Sequence, residues 1–217
     1  FKQKTAYEVM PSLVGSEMCI RDRGFTGRSR TAPELSRALA LGIALSWTVM
    51  FGRVLIEAAV VNPQLLARLW PPVFGAGLAG TASSLWLART KPDARSEMKF
   101  STPFELSPAV KFGFLYAVIL VGARAAQLYL GNTGVYLAST LSGVADVDAI
   151  TLSLARLSTT GDTPLGVAAR AVVLASLANT AVKGGMVLVL GAPALRRTLL
   201  PSLLAMLAVG LGLAFLV

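Results

Sequence analysis

The chain has 217 residues, 54% of them hydrophobic and 14% charged, and its mean hydropathy of +0.66 is far above that of a soluble globular domain. Lysine and arginine number 20 against 11 aspartate and glutamate, a net charge of +9, but aromatic residues are few and the basic ones form no dense patch of the kind a nucleic-acid surface needs. With no histidine and one cysteine, the usual zinc sites, Ser-His and Cys-His nucleophile pairs and an intrachain disulfide are excluded. The class that remains is all-α: a polytopic helix bundle embedded in a lipid bilayer, with no cofactor or metal implied and no enzyme chemistry expected.

Residues 1–23 (FKQKTAYEVMPSLVGSEMCIRDR) have neither the apolar run of a signal peptide nor a helical pattern. The stretch resembles translated sequencing adapter of the kind found at the ends of fragmentary metagenomic reading frames, so a non-native segment is expected there, with part of the native N-terminus missing. Setting it aside removes Cys19 together with four basic and three acidic residues, which leaves 16 against 8 over residues 24–217, a single helical membrane domain.

Six apolar stretches follow, each near the roughly 20 residues that cross a hydrocarbon core of about 30 Å. The first, residues 37–61, ends at Asn62-Pro63, a turn signal. The second, residues 70–88, opens on Pro71-Pro72 and carries Gly75, Gly80 and Ser84, which suit close helix approach. A polar connection precedes the third, residues 108–130, and Gly131-Asn132-Thr133-Gly134 forms a tight turn before the fourth, residues 135–157. The fifth covers 165–190 and the sixth 197–217. If the first span starts on the cytoplasmic side, that side collects Arg28, Arg30, Arg37, Arg89, Lys91, Arg95, Lys99, Lys111, Arg156 and Arg170 against Arg68, Arg196 and Arg197 opposite. Ten against three sets both ends of the chain on the cytoplasmic side of a bacterial inner membrane.

Ionisable groups at membrane depth cost about 2.5–3.5 kcal/mol each on insertion scales, so each marks a functional hypothesis and needs a partner. Arg53 and Glu57 lie one turn apart on the first span and are expected to neutralise each other as an intrahelical ion pair. Arg124 and Gln127 lie near the end of the third, where Arg124 either snorkels to the interface or binds a carboxylate. The fifth carries a polar stripe of Ser176, Asn179 and Lys183, with Thr180 beside it. In the fourth, SGVADVDAITLSLA places Asp146 and Asp148 two residues apart, on opposite sides of a continuous helix. A break at Ser142-Gly143 is expected to let both face one midplane site. Arg53, Arg124 and Lys183 balance Glu57, Asp146 and Asp148, so a neutral internal network is expected. Two roles stand open for it: helix packing alone, or an ion or proton site in which Lys183 competes for an aspartate.

The runs TPFELSPAVKFGFLYAVILVGARAAQLYLGNTGVYLASTLSGVADVDAITLSLARLS and SLANTAVKGG, with MFGRVLIEAAVVNP in the first span, resemble a bacterial membrane domain of unknown function usually found C-terminal to an MgtC/SapB-type membrane domain. The resemblance covers residues from about Arg28 to the end. It implies a membrane location, a role for Asp146, Asp148, Asn179 and Lys183, and the MgtC/SapB-type domain as partner. Two functions fit: a transport or permeation component for a small ion or solute, or a non-catalytic module that regulates a membrane-protein partner, or a second copy, through small-residue faces at Gly75, Gly80 and Gly184-Gly185.

Overall fold

A computed structural model describes residues 25, 26, 29, 36–89 and 106–215. These residues form six helices and no strand: α1 (Ser36–Val61), α2 (Pro63–Arg89), α3 (Leu106–Ala145), α4 (Val147–Thr159), α5 (Leu165–Leu190) and α6 (Pro193–Ala214). The all-α bundle follows from the rule that backbone polar groups taken out of water must bond within their own segment. α5 is the core element, packed against α2, α3, α4 and α6, and its buried residues lie all round the helix. Three helices, α1, α5 and α6, are long and apolar enough to cross a membrane.

α2 starts seven residues before the expected second span and runs through Pro71 and Pro72 without ending. The turn before it is held by Asn62, whose side-chain oxygen accepts from Gln64 N at 3.1 Å and Leu65 N at 3.3 Å. Asn62 Nδ2 also donates to Ser158 Oγ at 2.9 Å, tying the end of α1 to the end of α4. Arg53 pairs with Asp148 further up the same two helices, so α1 and α4 run side by side in the same direction. At the opposite end of α1, Ala192 N donates to Ser29 Oγ at 3.0 Å, and Phe25 lies against Gly42. The bundle thus has a Ser36 end and an Asn62 end.

The fourth expected span is not a crossing helix. α3 contains non-helical backbone at Gly131 (φ 59°, ψ −144°), a left-handed conformation that glycine adopts without a Cβ penalty. The chain folds back there so tightly that a Cβ on Gly134 would strike the Ala126 carbonyl and lie 2.7 Å from Leu130 Cβ. Arg124 and Gln127 contact Asp162 and Thr163, so the turn sits at the Asn62 end. Residues 132–145 then descend into the bundle, where Gly143 meets Ala175 of α5. The helix breaks at Asp146 (φ −157°, ψ 119°), and α4 returns to the Asn62 end. With 13 residues, α4 is about 20 Å long and too short to cross. The two limbs form a re-entrant helical hairpin with Asp146 at its tip. The break is therefore real but lies three residues beyond Gly143.

This hairpin also reverses the expected orientation of everything after it. α5 begins at the Asn62 end, where Gly166 lies beside Arg68 of α2, and finishes at Gly191 against Thr26. α6 returns, so its last residues lie at the Asn62 end, opposite the start of α1. The expectation of both chain ends on one side counted the hairpin as a crossing.

Candidate functional site

The tip of the hairpin is built around the broken helix. As N-cap of α4, Asp146 accepts from Asp148 N at 2.9 Å and Ala149 N at 3.3 Å through one carboxylate oxygen, supplying acceptors to amides that a helix start leaves free. On the other limb the Gly143 carbonyl, freed by the break, accepts from Asn179 Nδ2 of α5 at 2.6 Å. Only glycine lets this contact form, since a Cβ at position 143 would sit 2.6 Å from Ala175 Cα. Both aspartates are buried, and neither needs the other's face of a continuous helix because the helix is interrupted between them and α3.

Asp148 is the junction between helices. Its carboxylate forms an ion pair with Arg53 of α1. Arg53 therefore pairs across helices instead of with Glu57, one turn along, as the spacing suggested. The i, i+4 rule names a partner within reach, but α4 runs parallel to α1 and presents a closer one. Glu57 still lies within the field of Arg53, Asp148 and Asp146, and its Oε2 is buried with no hydrogen-bond donor among the described residues.

Lys183 enters from α5, 3% exposed, with its charge acting on Asp148. Its ammonium has one hydrogen-bonding partner among the described residues, Met50 Sδ of α1 at 3.6 Å. A thioether is a weak acceptor for a group with three donors, so the ammonium is the least satisfied cation of the site. Three further buried acceptors have no donor among the described residues: Asp148 Oδ1, Asn179 Oδ1 and Ser139 Oγ, the last one turn before Gly143 on the same limb. Ser176 and Thr180, also of the α5 stripe, bond back to helix carbonyls at 2.9 and 2.8 Å and bring no free group to the site.

Arg124 does not join this cluster. It pairs at 2.6 Å with Asp162, in the turn between α4 and α5, and the pair is partly exposed. The expected neutral network of six charges is thus a cluster of five: Arg53 and Lys183 with Glu57, Asp146 and Asp148. The sequence pointed to all five but missed Met50, the contact of Lys183. Met50 precedes Arg53 by three residues on the same face, and that spacing was the available signal.

Three helices long and apolar enough to cross a membrane, in an all-helical bundle, are those of a helical membrane protein. The chain belongs to the family described as Domain of unknown function (DUF4010), whose match spans residues 13–191 and so contains every residue of the cluster. It is also 36% identical over 176 residues to a protein of Aquifex aeolicus (strain VF5) whose name is "Uncharacterized protein", a match covering 79% of this chain and 76% of the relative. No solved structure matches the chain. The family match begins inside the stretch 1–23 that reads as foreign; that stretch lies outside the described residues.

Proposed function

We propose that the chain is a multi-pass, non-catalytic transport or permeation component of the bacterial cytoplasmic membrane, passing a small ion or solute along a path centred on Asp146 and Asp148. The observation that carries this reading is the hairpin tip: a broken helix brings two aspartates to the middle of the bundle, against a lysine whose one bonding partner among the described residues is a thioether. Unwound backbone at membrane depth survives only inside protein or beside a water-filled path, and interrupted helices are how many transporters expose polar groups at the midplane. Multi-pass insertion is supported by α2, whose exposed Trp70 and Trp86 lie 16 residues apart, about 24 Å along the helix and suited to the two interfacial belts. A cytoplasmic Ser36 end is supported by Arg37, Arg89, Arg196 and Arg197 there, joined by Lys91, Arg95 and Lys99 in the sequence linking α2 to α3. An MgtC/SapB-type domain is the proposed neighbour.

The regulatory reading loses its surface. Gly75 and Gly80 pack inside the chain against α6 and α1, and Gly184 packs against Leu203 of α6, so only Gly185 of that set is open. The test is ion flux by the full-length protein in proteoliposomes. Asp146→Asn and Asp148→Asn should each abolish flux while leaving folded protein, and flux that survives both substitutions refutes the path.

A further inference from the structure

Removing Arg124 from the expected network leaves, among the described residues, three carboxylates facing two cations, one positive charge short. Such an imbalance is expensive in a low-dielectric interior, and the usual relief is a proton on the group with the fewest stabilising contacts. The geometry distinguishes the three candidates. Asp146 accepts two backbone N–H groups at the start of a helix. Asp148 holds the Arg53 guanidinium. Glu57 has neither: Oε2 is buried without a donor among the described residues, and the cation one turn away is engaged elsewhere.

We propose that Glu57 is the proton-exchanging group of this site and that Arg53 is a switch shared between Glu57 and Asp148. The inference rests on the reading of the cluster as an ion path and names the proton as the ion. With Glu57 protonated, Arg53 pairs with Asp148, the arrangement observed. When the Glu57 O–H bond breaks and the proton passes to water, the new carboxylate stands one helical turn from Arg53 and draws the guanidinium back along α1. Asp148 is then free to take the ammonium of Lys183, which has only Met50 Sδ to leave. The released Asp148 sits at the start of α4, so the exchange acts directly on one limb of the hairpin. The groups around Glu57 are Arg53 on its own helix, Asp148 of α4 and Asp146 at the tip. Arg68 of α2 lies against Gly166, and Arg196 and Arg197 of α6 are at the Ser36 end, where Arg196 bonds the carbonyls of Gly191 and Val189.

The decisive measurement is infrared difference spectroscopy of the reconstituted protein across a pH titration, with glutamate or aspartate side-chain carboxyls isotopically labelled. Glu57 is the only glutamate among the described residues. The expected result is a C=O stretch of a protonated carboxyl at neutral pH that moves with labelled glutamate, not with labelled aspartate, and is lost in Glu57→Gln. If Glu57→Gln does not fold, Glu57→Asp keeps the test, because the band should then move with labelled aspartate and no longer with labelled glutamate. A band that follows aspartate, a band that persists in Glu57→Gln, or no protonated carboxyl at neutral pH overturns the proposal. So does a sodium-driven flux that is independent of pH. A glutamate band with no ion flux keeps the proton on Glu57 and refutes the transport reading instead, so the two failures are distinguishable.

Discussion

Gly143→Ala is the most direct probe of the hairpin, because one methyl group there meets backbone instead of a movable side chain. The added Cβ would lie 2.6 Å from Ala175 Cα and 2.8 Å from its carbonyl carbon. Carbon atoms pack at about 3.5–4.0 Å, so the limb 132–145 must retreat from α5 by about 1 Å. That retreat carries the cost of overpacking, about 1–3 kcal/mol, and stretches the Asn179 to Gly143 hydrogen bond, worth about 1 kcal/mol more. The opposing gain in helix propensity is at most about 1 kcal/mol. Gly52→Ala is the matched control: it gains the same propensity in α1 and a Cβ there meets nothing within 4 Å. The two variants should differ by about 2–4 kcal/mol, which for a chain of this length is about 4–16 °C in Tm. Thermal unfolding in detergent followed by circular dichroism measures the gap. Equal melting of the two variants would show that the limb does not press on α5, and the hairpin geometry would have to be abandoned.

Two further outcomes follow from the same geometry. In a Cys19→Ser background, single cysteines at Asn132 and Asp162 should both react with a membrane-impermeant thiol reagent added from one side, while those at Arg37 and Ala214 should react from opposite sides. Labelling of Asn132 and Asp162 from different sides would restore a fourth crossing helix. A double-mutant cycle on unfolding should give a coupling of about 1 kcal/mol between Arg53 and Asp148, modest because the Arg53 side chain is 48% exposed. The Arg53 and Glu57 cycle should give close to zero at neutral pH; a larger coupling there than to Asp148 would reverse the assignment of partners.

The residues of the site were legible because each broke a local pattern. Asp146 and Asp148 in an apolar run, and Lys183 in line with Asn179 and Ser176, are polar groups where lipid would reject them, and two carboxylates two residues apart suggested a broken helix. The position of the break was not legible. Ser142-Gly143 has the residues that tolerate unwinding, yet the chain is helical through Ala145 and ends at the residue whose side chain can cap the next helix. Gly143 serves close approach to Ala175 instead, a role that glycine composition signals equally well. Arg124, left between snorkelling and a carboxylate in the bundle, was counted into the internal charge balance; its partner is Asp162, in a loop that the balance had ignored.

Composition and hydropathy by themselves determined the all-helical membrane class, because a chain this apolar must satisfy its backbone polar groups internally. They also determined which groups require partners. Only the tertiary structure decided who those partners are and where the chain goes between them. A hydropathy window sums transfer free energies along the sequence and is equally satisfied by one helix that crosses or by two half-helices that turn back. The difference lies in contacts far apart in sequence, Asn62 with Ser158, Arg53 with Asp148 and Gly143 with Ala175, and those are set by packing.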